Sequence, residues 1–127
     1  MSNRKQIGQI GEDAGARYLE NRGYKILERN WQDKHRQGEI DIVAKKKNKI
    51  IFVEIKTLVG QNQVFLPEDE INQNKKKQLV KMTQIYLRAN NISFETPHQI
   101  DILAVELNPI SGEPAIRHLE NTLGDKN

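Results

Sequence analysis

Gly38-Glu39-Ile40-Asp41-Ile42-Val43-Ala44 is answered by Ile50-Ile51-Phe52-Val53-Glu54-Ile55-Lys56-Thr57, with Lys45-Lys46-Lys47-Asn48-Lys49 between them. Both arms are dense in Ile, Val and Phe, which suit a pleated, half-buried surface, and the intervening segment is polar and basic. The pattern predicts a β-hairpin. Four charged residues, Glu39, Asp41, Glu54 and Lys56, interrupt the apolar arms. A symmetric turn sets Lys45 opposite Ile50, and the same register sets Asp41 opposite Glu54 and Glu39 opposite Lys56. Facing residues share a face and side chains alternate along a strand, so this register gathers all four charges on one face. A turn one residue longer or shorter would turn the set over, so the reading hangs on the register.

Two facing carboxylates repel unless positive charge lies between them. The chain has no Cys, and hard oxygen ligands without thiolates point to Mg²⁺ or Mn²⁺ as the cofactor, held by Asp41 and Glu54. Mg²⁺ keeps several waters when few carboxylates bind it, so it can grip a phosphate oxygen and acidify water. Lys56, two residues beyond Glu54, can orient that water or stabilise charge in a phosphorane-like transition state. Together these residues are minimal equipment for hydrolysing a phosphodiester. The competing reading is a salt-bridged hairpin surface facing solvent.

Working outward, Ile7, Ile10, Ala14 and Tyr18 recur at helical spacing and predict a helix over residues 7–21, stopped by Arg22-Gly23. Gly8, Gly11 and Gly15 lower its helix propensity, and small residues at that spacing permit close packing on a sheet or close approach of a ligand. Glu12 lies at the edge of the apolar stripe, as a boundary charge or as an acid reaching a site on the sheet. Residues 24–31 read as a first strand and residues 58–67 as a loop. Residues 68–90 read as a second helix, with Glu68, Asp69 and Glu70 in its first turn. Residues 99–107 form a nearly continuous apolar strand and residues 114–119 a short last one, with a loose tail from about 121. Helix, three strands, helix, two strands predicts an α/β fold, a mixed β-sheet flanked by helices.

At 127 residues the chain reads as a single domain able to bury a core unaided. A net charge of +3 is unevenly placed. Lys45, Lys46 and Lys47 form one triplet and Lys75, Lys76 and Lys77 another, each either a solvated surface or a set of phosphate contacts. No apolar leader or run of about 18 apolar residues occurs, so the expectation is a cytoplasmic chain with no membrane partner. Trp31 and Tyr24 read as packing residues. His35, His98 and His118 are widely spaced and read as surface or loop residues. Asp101, inside an apolar strand, needs a partner such as a backbone N–H or Arg29.

Asp41 with Phe52-Val53-Glu54-Ile55-Lys56-Thr57 resembles the PD-(D/E)xK signature of the restriction-endonuclease-like nuclease superfamily. More narrowly, residues 8–19, 23–31, 38–44, 52–57 and 99–105 resemble the YraN-like family of small bacterial proteins, covering most of residues 8–107. The resemblance implies a restriction-endonuclease-like fold shared with archaeal Holliday-junction resolvases. It implies Asp41 and Glu54 as metal ligands, Lys56 as catalytic lysine and Glu12 as a supporting acid. Glu39 falls in the family's Gly-Glu-Ile-Asp stretch and either pairs with Lys56 or closes the strand. Ile40 stands where the superfamily signature has Pro, and Leu58 and Gln99 stand where relatives commonly carry Arg. The resulting expectation is a Mg²⁺- or Mn²⁺-dependent endonuclease acting on DNA, including structured or branched DNA, with a homodimer compatible. A non-catalytic nucleic-acid-binding module on the same fold is the alternative, and a protein-interaction scaffold a third class.

Overall fold

The structure, a computed structural model, describes residues 3–60 and 71–122. Helix α1 (Arg4–Asn21) begins three residues before the periodic stripe does, because Asn3 caps it. Asn3 Oδ1 accepts from the Gln6 N–H at 2.8 Å and Gln6 Oε1 accepts from the Asn3 N–H at 2.9 Å, satisfying two end donors reciprocally. Gly23, at φ +89°, follows its C-cap and turns the chain into β1 (Lys25–Gln32). Strands β2 (Glu39–Lys46) and β3 (Lys49–Val59) extend into the lysine run, leaving a two-residue turn at Lys47-Asn48. Helix α2 (Gln73–Ala89) starts later than residue 68, since Asn72 is its N-cap and accepts from the Lys75 N–H at 2.9 Å. Ile71 therefore precedes the helix, while the acids at 68–70 and most of the expected loop lie outside the described residues. Strands β4 (His98–Leu107) and β5 (Pro114–Leu119) close the order.

The five strands form one sheet in sequence order, antiparallel except for β3 beside β4. That parallel pair requires a crossover, which α2 supplies. The register inferred from the hairpin holds, with Lys45 opposite Ile50 and Ile42 opposite Val53. Alternation then sends side chains to two cores. Val43, Ile50, Phe52 and Ile100 pack on Leu79, Met82, Tyr86 and Leu87 of α2. Ile42, Ala44, Ile51, Val53 and Leu103 pack on Ala16 and Leu19 of α1. The α/β architecture with a mixed sheet and a helix on each face is the one predicted.

The glycines of α1 seat it. A Cβ at Gly11 would overlap the Thr57 hydroxyl, and one at Gly15 would stand 2.9 Å from Ile55 Cδ1, whereas Gly8 meets nothing within 4 Å. One expectation is corrected elsewhere in the sheet, and another is decided between its alternatives. His118 is buried, its Nε2 2.7 Å from Asp101 Oδ2 and its Nδ1 3.1 Å from the Tyr18 hydroxyl. For Asp101 the backbone N–H alternative holds and Arg29 does not: one oxygen takes His118, and the other accepts from the Asn121 N–H and from Gln99 Nε2, both at 2.8 Å. A carboxylate with no exposed surface demands such a set.

Candidate active site

The hairpin ladder ends at Ile42 opposite Val53, and the site begins there. One step on, the Ile55 N–H donates to Asp41 Oδ2 at 2.8 Å. Asp41 thus uses its side chain to meet β3. The strand also turns over at this position: Ile40 packs on the α2 side and Ile42 on the α1 side, although two residues apart they should share a face. Neighbouring β1 breaks in step. Asn30 has φ +55° and lies between Arg29, paired with Ile42, and Trp31, paired with Ile40. Asn tolerates that left-handed backbone better than most residues.

This break changes the expected grouping of charges. Glu39, Asp41 and Lys56 line one cavity of about 710 Å³ with Glu12 and Asn30, and Arg4, Lys5 and Gly8 of α1 also line it. Glu54 is not among the lining residues. Its Oε2 lies 3.2 Å from Lys75 Nζ of α2, and its carboxyl hydrogen-bonds Asp41. Alternation fails in β2 at Asp41, but in β3 Ile55 and Thr57 both meet α1, which leaves Glu54 and Lys56 together on the other face; Asp41 and Glu54 still meet. Asp41 joins the cavity to the buried Glu54.

The electrostatics of the pair follow from burial. Loss of hydration, then the neighbouring Glu54 charge, pushes the Asp41 carboxyl up to about 8, against the pull of the Ile55 N–H. Burial also raises Glu54, opposed chiefly by Lys75 and then by Asp41 and Lys56. Both carboxyls are thereby held above the ordinary carboxylate range. That donor set fits Mg²⁺ or Mn²⁺: two adjacent hard oxygen ligands, with open positions for water or phosphate. Among the described residues no three His, Asp or Glu side chains converge as a metal-binding group.

Glu12 is buried and fixed. Its Oε1 accepts from Arg29 Nη2 at 3.0 Å and from Asn30 Nδ2 at 2.9 Å, and Arg29 also holds Asp13 at 2.6 Å. Sequence reading found Glu12 but missed the Arg29 and Asn30 clamp, because a regular strand would send those two side chains to opposite faces. Arg4 and Lys5 were missed as well. They precede the apolar stripe of α1, and only the cap at Asn3 brings them into the helix.

The lysines divide. Lys45 and Lys47 are exposed near the turn, and Lys46 stacks over the Tyr24 ring at 4.6 Å. All three lie at the opposite end of β2 from Asp41. Lys75 sits on Glu54, with Lys76 and the exposed Lys77 following it in the first turns of α2. Trp31 packs edge-on against Tyr86, their ring centres 5.1 Å apart, as a core residue.

Comparison with known proteins fits the narrower, YraN-like part of the sequence resemblance. The chain matches the uncharacterised protein family UPF0102 over residues 11–105, a span containing Glu12, Asp41, Glu54, Lys56 and Lys75. It is 42% identical to a UPF0102 protein of Caldanaerobacter subterraneus subsp. tengcongensis over 107 residues, 84% of each chain. It is 38% identical to one from Clostridium botulinum over 117 residues, 92% of this chain and 93% of that one. A UPF0102 protein of Flavobacterium johnsoniae is 36% identical over 122 residues, 94% of both chains. With a match across three quarters of its length and relatives aligned nearly end to end, the chain belongs to the UPF0102 family, the YraN-like group.

Proposed function

We propose that the protein is a Mg²⁺- or Mn²⁺-dependent nuclease that hydrolyses phosphodiesters in DNA, on a restriction-endonuclease-like version of the observed α/β fold. One observation carries the reading: at the end of the hairpin ladder Asp41 and Glu54 are hydrogen-bonded to each other, and Asp41 lines a cavity with Lys56. Asp41 and Glu54 would hold the metal, which when bound supplies Lewis acidity and neutralises phosphate charge. Lys56 faces the phosphoryl group and stabilises the negative charge that grows on its oxygens as water attacks phosphorus. The water oxygen forms the new P–O bond as one of its protons passes to solvent, the P–O bond to the sugar breaks, and the departing sugar oxygen takes a proton from solvent. Glu12, anchored through Oε1, helps to orient the attacking water, and Glu39 contributes negative potential at the cavity wall. Arg4 and Lys5 on one side and Lys76 and Lys77 on another hold flanking phosphates.

Cleavage of duplex, flapped and four-way-junction DNA with Mn²⁺ tests this. Wild type is expected to cut at least one of them, and Glu54→Ala and Lys56→Ala to lose on the order of 10²-fold or more in rate. Equal activity in all three proteins would trace cleavage to a contaminant and sink the assignment.

A second reading, a non-catalytic nucleic-acid-binding module, is favoured by the number of acids that meet: only Asp41 and Glu54 bond each other, while Glu12 is committed to Arg29 and Asn30. It predicts salt-dependent DNA binding that EDTA and Glu54→Ala leave unchanged, with no cleavage.

A further inference from the structure

Lys75 reaches the acid pair from α2, across the sheet from α1. Its Nζ lies 3.2 Å from Glu54 Oε2; the Glu54 side chain is 9% exposed, that of Lys75 39%. The backbone of Lys75 is fixed, because its N–H is the one that the Asn72 cap receives. The side chain beyond it is a flexible stem, partly open to solvent. Lys76 and Lys77 extend the same positive charge along the helix.

We propose that Lys75 is a positioning residue acting as a built-in counter-ion, holding divalent-cation affinity low until a nucleic-acid phosphate draws its ammonium off Glu54. The inference rests on the metal-dependent reading above. Its physical basis is charge. Buried Glu54 needs a positive partner, and in the free protein the ammonium supplies one. A divalent ion held by the same carboxylate meets that charge at close range and is repelled. Removing the ammonium relieves a divalent ion more than any singly charged competitor, since the repulsion scales with the ion's charge. A phosphodiester offers the ammonium an equally charged and better hydrated partner, and Lys75 is exposed enough to take it. The coupling is reciprocal: if nucleic acid tightens metal binding, the metal tightens nucleic-acid binding by the same factor. The site would then assemble fully only on its substrate.

Mn²⁺ affinity of the whole chain, measured by titration calorimetry and by the electron-spin signal of free Mn²⁺, tests this without turnover. Titrations are run with and without a phosphorothioate oligonucleotide that resists hydrolysis. In wild type the oligonucleotide is expected to tighten Mn²⁺ binding about tenfold. Lys75→Ala and Lys75→Gln are expected to bind Mn²⁺ about tenfold more tightly without it and to gain little when it is added. Lys25→Ala, a charge-matched change at the far end of β1, should behave as wild type. Folded Lys75 variants whose Mn²⁺ affinity is unchanged or weaker overturn the counter-ion role. If wild type nevertheless binds Mn²⁺ and Asp41→Asn does not, the metal-dependent reading stands without it. No Mn²⁺ binding by any form overturns both.

Discussion

Asp41 holds a proton at a pH where an aspartate in water has lost it. Its carboxyl, normally near 3.8, stands at about 8 in the folded chain because it is buried beside Glu54. The unfolded chain releases that proton several pH units earlier, so between the two values the folded state binds more protons. Stability from this residue is therefore fully present below about 4 and is lost as pH rises through about 8. With EDTA present, the melting temperature is expected to fall between pH 5.5 and 8.5, and Asp41→Asn should flatten the fall. Circular-dichroism melts at the two pH values check this, and identical profiles for the two proteins would refute it. Glu12 is held differently: Arg29 and Asn30 donate to one of its oxygens, one donor charged and one neutral, and this fixes its orientation.

At the scale of the element, α1 depends on contact between glycine and β3. Gly11 and Gly15 bring its backbone down onto Thr57, Ile55 and Leu103. Gly11→Ala is expected to destabilise the fold by about 1–3 kcal/mol through overpacking, seen as a lower denaturation midpoint, and Thr57→Ala should recover part of the loss. Gly8→Ala meets open space and gains helix propensity of up to about 1 kcal/mol. A destabilised Gly8→Ala with an unaffected Gly11→Ala would show that α1 sits elsewhere on the sheet. The hairpin and the element order were legible in sequence because strand periodicity is local and dense between residues 38 and 57. The register followed from the turn, and with it the meeting of Asp41 and Glu54. The starts of both helices were not legible from apolar spacing, since Asn3 and Asn72 set them through polar caps. The break at Asp41 and Asn30 was hidden as well. It is a backbone event, φ +55° at a residue flanked by ordinary strand neighbours, and sequence alternation runs straight through it. For the same reason the clamp on Glu12 and the separation of Glu54 from the cavity wall emerged only in three dimensions.

Across the whole molecule, two lysine triplets stand at opposite ends of the hairpin. Lys75, Lys76 and Lys77 begin α2 beside Glu54, while Lys45, Lys46 and Lys47 lie at the other end of the hairpin. Among the described residues no helix is long and apolar enough to cross a membrane. If both clusters contact phosphates, DNA affinity falls steeply with salt, and reversing Lys45 and Lys47 to Glu should flatten that dependence without altering Mn²⁺ affinity; filter binding between 50 and 200 mM salt measures it. If the protein acts on DNA as proposed, the distance from Asp41 to Lys46 also sets a length on the nucleic acid. Five residues of extended strand cover about 17 Å, and successive base pairs of B-form DNA rise about 3.4 Å. β2 itself is covered by α1 and α2, so a duplex touching both places would pass outside the helices and put its reacting phosphate roughly five base pairs or more from the phosphates at the turn. The strand then acts as a ruler, and ends or junctions closer than that to the cut would leave the turn lysines without a phosphate to hold.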